Sequence, residues 1–432
     1  MNMLKMLTYM NLIIVVVMTA AYFYQLVYTV VGLIFRRAKP EPETVRRHRF
    51  AALVCARNEA GVIGELVESL KRQNYPEALF DVYVLADNCT DDTADRAEAA
   101  GAIVYERYNK VKVGKGYALD YLIKRIKEDR GGVYDGYFIF DADNIVDPNF
   151  VLEMNKTFDR GFDAITCYRN SKNFGTNWIT ASYSIWFLRE ARFLNYPRML
   201  LGSSCAVSGT GFLVSGRLIE ENGGWPFHLL TEDIQFTADC VTSGHKIGYC
   251  DRAVVYDEQP KTFSQSWHQR LRWAKGFYQV DGEYLLPLFS GIFKNKGKGR
   301  RLSCYDILMT IAPGMLFTLF SFMLNLFILI SFISQPRHMA MLIAAEALRF
   351  VVFGVVNFYI GMVAYAFLTV LCEWKRIRAS SVRKILYIWA FPIFMATYIP
   401  IALVALKRNV EWKPIAHYSA KELAVHGAFK EG

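Results

Sequence analysis

Residues 11–35, NLIIVVVMTAAYFYQLVYTVVGLIF, run for 25 residues without a charged side chain. At about 1.5 Å of rise per helical residue, that length crosses the hydrocarbon core of a bilayer. Everything else in the chain must therefore be laid out against a membrane. Arg36, Arg37 and Lys39 follow at once, and such positive charge marks the cytoplasmic end of a span. The competing reading is a signal peptide. The run is too long for an h-region, and no small-residue cleavage site follows it.

Apolar blocks return in the last third. Residues 307–334 carry no charge, residues 339–372 carry only Glu346 and Arg349, and residues 385–406 contain Pro392 and Pro400. One helix per block gives four spans and an external C-terminus, yet the basic tail favours the inside, so the count stays open. The 34-residue middle block is expected to be bent, re-entrant or double. Glu346 and Arg349 stand at helical spacing; they line a translocation path or lie near the interface. Hydrophobic residues reach 53% and aromatic residues 15%, with a net charge of +10. Anionic headgroups and an anionic nucleotide account for that charge, and no nucleic-acid motif is present. The cysteines, at 55, 89, 167, 205, 240, 250, 304 and 372, form no C-x-x-C pair, which argues for free thiols in a reducing compartment.

Between these blocks the pattern changes. FAALVCARNEA from Phe50, DVYVLADNCTDD, AIVYERY and YDGYFIFDADN read as strands, separated by GVIGELVESLKRQ, DTADRAEAAG and GKGYALDYLIKRIKED as helices. The alternation predicts an α/β fold with a doubly wound, mostly parallel sheet. Ligands bind beyond the carboxyl ends of such strands. Asn58, Glu59, Asp87, Asp141 and Asp143 fall on that edge. Further on, FDAITCY reads as a strand, residues 177–200 as an aromatic-rich helix, CAVSGTGFLVS (205–215) as a strand broken by small residues, and FTADCVTSG as a helix ended by Gly244.

Each polar group has two readings. Asp141-Ala142-Asp143 offers hard oxygen ligands for Mg²⁺ or Mn²⁺ bridging a diphosphate, or is a pair of solvated turn acids. Asp87 accepts from a nucleobase or ribose, or caps the next helix, for which Asp91 is better placed. Lys115, between two glycines, meets a phosphate or a solvated turn. Asp233 in T-E-D is a general base or an N-terminal helix acid, and His228 nearby reads as structural. Gln269, Arg270, Arg272 and Trp273 form Q-R-L-R-W. That set suits a diphosphate and a sugar stacked on an indole, or else a basic amphipathic helix on the membrane surface.

In this order, ahead of membrane spans, the motifs resemble those of the membrane-embedded family 2 glycosyltransferases, nearest in pattern to the processive synthases of cellulose, hyaluronan and poly-N-acetylglucosamine. The resemblance covers residues 50–280 by motif and the rest by architecture. It implies a GT-A-like fold with added transmembrane and interfacial helices, and inverting transfer from a UDP-sugar. It sets Ala56 and Glu59 near the base, Asp87 on the uridine, Lys115 near the diphosphate, Asp141 on the nucleotide and Asp143 on the metal. Ser208, Gly209 and Thr210 would hold the acceptor sugar. Asp233 would be the base with Glu232 beside it. Gln269, Arg270 and Arg272 would bind the diphosphate, and Trp273 the acceptor.

The implied layout is an N-terminal transmembrane helix (1–38), a cytoplasmic catalytic domain (39–260), an interfacial region (261–301), a C-terminal membrane region (302–407) and a tail (408–432), in a multi-pass plasma-membrane protein. The acceptor is a growing polysaccharide or, as with the ceramide glucosyltransferases, a membrane lipid. The chain departs from its long relatives in compactness, with no appended regulatory domain. Few helices are available to line a channel, so a second copy or an accessory subunit would complete one. A catalytically dead transporter or scaffold is the remaining alternative, and the intact acids argue against it.

Overall fold

The computed structural model describes residues 3–35, 41–44, 46–132, 134–294, 297, 299–312, 320, 323–327, 330, 337–408 and 410. In chain order, the N-terminal helix is α1 (Met3–Ile34), followed by β1 (Phe50–Ala56), α2 (Ile63–Lys71), β2 (Phe80–Asp87), α3 (Thr93–Ala99) and β3 (Ile103–Arg107). Next come α4 (Lys115–Arg130), β4 (Gly136–Asp141), β5 (Ile145–Val146), α5 (Phe150–Phe158), β6 (Ala164–Ser171) and α6 (Trp178–Glu190). A π-helical turn (Ala191–Asn195) leads to α7 (Tyr196–Leu201), β7 (Phe212–Ser215), α8 (Gly216–Glu221), α9 (Glu232–Ser243) and β8 (Ile247–Asp257). α10 (Phe263–Lys294) and α11 (Arg300–Ile311) follow.

The strands form one sheet in the order β3-β2-β1-β4-β7-β6-β8-β5. β1 pairs in parallel with β2 and β4, β2 with β3, and β6 with β8. β7 runs antiparallel to both β4 and β6, so their carboxyl ends share one edge. Apolar runs such as FAALVCA are buried on both faces, as a covered parallel sheet requires. Alternate residues serve different layers. Ala51, Leu53 and Ile139 pack with Leu119 and Leu122 of α4, while Phe50, Ala52, Val54 and Phe138 pack with Leu66 and Leu70 of α2. The mixed α/β, mostly parallel sheet with helices on both faces is thus observed.

The strand expected over residues 205–215 is shorter. Only Phe212–Ser215 pairs, because Gly209 and Gly211 take φ of 76° and 67° and break the extended path. Before the break the backbone is caught by other groups: Ala206 N donates to Asn195 Oδ1 at 3.0 Å and Val207 N to Thr237 Oγ1 at 3.0 Å.

Among the described residues, two helices are long and apolar enough to cross a membrane, Thr8–Ile34 and Ala340–Cys372. The second is one continuous helix from Arg337 to Cys372, so the middle block is not double. Ser381–Ile388 and Phe391–Lys407 would make a third span with a 44° bend. The expected span at 307–334 and the tail at 408–432 lie largely outside the described residues.

Polar side chains tie α1 to the sheet domain. Tyr28 donates to Asp306 Oδ2 at 2.9 Å, and Arg198 grips the same carboxylate through Nε and Nη2, both at 2.7 Å. All three are buried, so none can be left unpaired cheaply.

α10 lies directly on the start of α9. A Cβ on Gly276 would stand 2.5 Å from Thr231 Oγ1, so nothing larger fits without displacement, whereas Gly282 on the same helix faces open space. Gly276→Ala should destabilise the detergent-solubilised protein by roughly 1–3 kcal/mol, and Gly282→Ala should be neutral or stabilising by up to about 1 kcal/mol. Thermal unfolding of both checks this; equal melting temperatures would contradict the contact.

Candidate active site

The shared strand edge collects the polar residues. Ala56 ends β1, Asp87 ends β2, Asp141 ends β4 and Asp257 ends β8. Asn58 and Asn88, just past β1 and β2, have φ of 57° and 56°, which asparagine tolerates better than most residues. Their side chains brace the loops: Thr90 N donates to Asn58 Oδ1 at 2.8 Å and Asn109 N to Asn88 Oδ1 at 2.8 Å. Glu59 N donates to Thr93 Oγ1 at 2.9 Å, and Asp91 accepts from Thr93 N, the first residue of α3, at 3.2 Å. Asp87 is freed from that duty. It accepts instead from Arg107 Nη1 at 2.7 Å, in a buried pair. Burial pushes the Asp87 carboxyl up, and Arg107 opposes that.

Asp141 and the Ser208–Gly209–Thr210 loop are stitched together. Lys115 Nζ binds Asp141 Oδ1 and donates to the Gly209 carbonyl at 2.6 Å. Asp141 N donates to Thr210 Oγ1 at 2.9 Å, and Arg169 Nη1 to the Ser208 carbonyl at 2.8 Å. A methyl on Gly209 would stand 3.7 Å from Asp233 Oδ2, 3.8 Å from Arg169 Nη1 and 3.9 Å from Asp141 Oδ2. Asp141, Asp233 and the loop therefore border one space. Burial raises the Asp141 carboxyl, but Lys115 outweighs it and holds it below the usual range.

Glu232 and Asp233 open α9, and Lys115 Nζ is 4.0 Å from Glu232. Burial, with Asp233 adding, pushes the Glu232 carboxyl up to about 7. Burial also raises Asp233, with Lys115 opposing. His228 stacks on Tyr117 at 4.2 Å between centroids, a packing role.

The Q-R-L-R-W stretch lies on α10 and divides between two faces. Gly276 touches Thr231, so residues at helical spacing from it, Gln269 and Arg272, share the face toward T-E-D. Arg272 is close enough to lower both Asp141 and Glu232. Gln269 Oε1 is buried without a hydrogen bond.

Arg270 differs from the expectation. One residue along a helix turns about 100°, and its side chain is fully buried on another face. It donates to the Phe394 carbonyl at 3.0 Å and Thr397 Oγ1 at 2.6 Å, with its guanidinium 4.1 Å from the Phe394 ring. It clamps α10 to the C-terminal helices and does not face the pocket. Trp273 packs edge-on against Tyr183 at 5.8 Å and Phe187 at 6.3 Å.

Asp143 is buried; its Oδ2 accepts from Glu258 N at 3.1 Å and its Oδ1 from Asn144 Nδ2 at 3.3 Å. Among the described residues, no three acidic side chains converge as a ready-made cation cage. The donor set still fits a dication that shares its ligands with a diphosphate. Burial pushes Asp257 up to about 7, with Arg169 opposing and Asp143 and Asp141 adding.

Three site residues escaped the sequence reading. Arg169 bonds Asp257 through Nε at 2.6 Å and lies 3.7 Å over the Phe187 ring. Asp257 ends β8, and Glu190 accepts from Ser208 Oγ. Arg169 and Asp257 sit near the carboxyl ends of β6 and β8, the same signal that found Asp87 and Asp141.

The sequence matches the family described as "Glycosyltransferase like family 2" over residues 48–276, more than half of the chain. The chain belongs to this family. It is 28% identical over 249 residues to a beta-monoglucosyldiacylglycerol synthase of Synechocystis sp., covering 55% of this chain and 50% of that protein. It is 25% identical over 267 residues to a poly-beta-1,6-N-acetyl-D-glucosamine synthase of Staphylococcus epidermidis, covering 59% of each. The chain thus spans between half and three-fifths of the length of these family 2 relatives. A mannosyltransferase from Pyrobaculum calidifontis, solved with GDP-mannose and Mn²⁺, shares the fold at a TM-score of 0.53 and 17% identity, covering 92% of this chain and 99% of that one.

Glu232 titrates higher folded than unfolded, where about 4.3 is usual. Stability from its protonated form is complete below that value and is lost as pH rises toward 7. Glu232→Gln should therefore be more stable than the parent at pH 8, by on the order of 1–3 kcal/mol, with the gap closing by pH 5. Unfolding curves across that range check the sign.

Proposed function

We propose that this family 2 glycosyltransferase inverts the anomeric centre of a UDP-sugar while extending a polysaccharide at the membrane. The supporting observation is the single space bordered by Asp141, Asp233 and Gly209, with Lys115 and Arg272 as its cations. Asp233 takes the proton from the attacking hydroxyl. The acceptor oxygen bonds to the anomeric carbon as the bond from that carbon to the diphosphate oxygen breaks, and UDP departs from the opposite face. Lys115 and Arg272 hold the diphosphate, with Gln269 supplying an amide. Asp87, with Ala56 and Glu59, borders the nucleoside. Ser208, Gly209, Thr210 and Trp273 hold the acceptor sugar in register. Mg²⁺ or Mn²⁺ on Asp143 would neutralise charge on the leaving diphosphate.

The membrane helices and the basic residues flanking them support a multi-pass protein with its catalytic domain on the cytoplasmic side. In this reading residues 39–260 form the catalytic domain, flanked by residues 1–38 and 302–407 in the bilayer and residues 261–301 at its surface. A second copy or an accessory subunit would supply further channel wall.

A second reading, single transfer to a membrane lipid, is favoured by the likeness to the Synechocystis synthase, whose name specifies a glucosylated diacylglycerol. Product length separates the two when the purified protein in lipid is given each UDP-sugar with Mg²⁺ or Mn²⁺. A ladder supports polymer growth; one glycolipid supports the second reading.

Asp233→Asn should retain UDP binding, measured by calorimetry, and lose transfer by roughly 10²–10⁴-fold. Full turnover by this variant would remove the base assignment.

A further inference from the structure

A cavity of about 510 Å³ opens between the sheet domain and the end of the membrane-length helix Arg337–Cys372, and none of the pocket residues described above lines it. Two irregularities build its wall. The π-helical turn carries Arg192 into it, and a β-bulge, where the β6–β8 register jumps from Cys250 to Val254, projects Asp251 and Arg252. Such insertions re-aim side chains and recur at functional sites.

Several carboxylates there are already engaged. Asp251 binds Arg376 at 2.8 Å and accepts from Tyr249 Oη at 3.0 Å, and Glu373 accepts from Tyr168 Oη at 2.7 Å. Two other buried charges line the wall, each with one ion-pair partner. Arg192, only 5% exposed, has an Nε without a hydrogen bond; the nearest recorded carboxylate, Glu373 Oε1, is 3.8 Å away. Glu153 Oε1 accepts from Lys156 Nζ at 3.0 Å, and its Oε2 is buried without a hydrogen bond. Arg252 and Lys375 line the same cavity and are exposed. Leaving a buried donor or acceptor unmatched is costly, so the wall is built for a partner.

That partner must bring an anion for the guanidinium and a donor for the carboxylate. A phosphate diester whose second alcohol carries a hydroxyl or ammonium has both. Its source is a phospholipid headgroup or a free phosphate ester. The lipid is favoured because Cys372, the last residue of the membrane-length helix, lines the cavity, and Phe367 and Leu371 just before it are 53% and 58% exposed, an apolar track for an acyl chain.

We propose that this cavity binds one phospholipid, its phosphate against Arg192, Arg252 and Lys375 and its headgroup hydroxyl or ammonium on Glu153. The inference stands apart from the sugar-transfer reading. Full-length protein should be exchanged into micelles holding phosphatidylglycerol, phosphatidylethanolamine or phosphatidylcholine and examined by native mass spectrometry. Phosphatidylglycerol and phosphatidylethanolamine should stay bound one to one, and phosphatidylcholine, which lacks the donor, should be lost.

Arg252→Gln and Lys375→Gln alter exposed side chains and should each lower occupancy roughly fivefold; Arg192→Gln should lower it further. Equal retention of all three lipids, or unchanged retention by the Arg252→Gln/Lys375→Gln double variant, overturns the proposal. So does a melting shift with glycerol 3-phosphate in protein that retains no lipid, since the occupant is then a soluble ester.

Discussion

Charge balance in a confined space governs the centre of this molecule. Asp141, Asp143, Glu232, Asp233 and Asp257 crowd one sheet edge, where burial alone would drive them toward neutrality. Lys115 and Arg169 answer them from the protein side. Lys115 holds Asp141 and the Gly209 carbonyl at once, and Arg169 joins Asp257 to the Ser208 carbonyl. Burial still pushes Glu232 and Asp257 up to about 7.

The acceptor loop depends on the same interactions. Ser208, Gly209 and Thr210 belong to no strand, yet each is tied to the pocket: Ser208 to Arg169 and Glu190, Gly209 to Lys115, Thr210 to Asp141 and Asn144. The loop's shape is thus set by its hydrogen bonds to Lys115, Asp141 and Arg169.

Much of this was legible in the sequence, because the signals are local. Continuous apolar runs ending in acids marked β1, β2 and β4 and their ligand edge, and T-E-D before a helical pattern marked α9. The reading failed where the decisive contact is long-range. Arg270 and Arg272 are equivalent as letters; only the Gly276–Thr231 contact fixes which face of α10 meets the pocket, and it turns Arg270 away. Glu190 had no signal at all, since it closes an aromatic-rich helix and finds Ser208 only through the fold. Arg169 and Asp257 were within reach of the strand-end rule, had it been carried past β4.

The clamp at Arg270 has one more implication. Its guanidinium is locked onto Phe394 and Thr397 while Arg272 and Trp273, within one turn, face the reaction space and its aromatic wall. The C-terminal helices and the T-E-D end of α9 are therefore joined through opposite faces of one helix, so a displacement of either would be felt by the other.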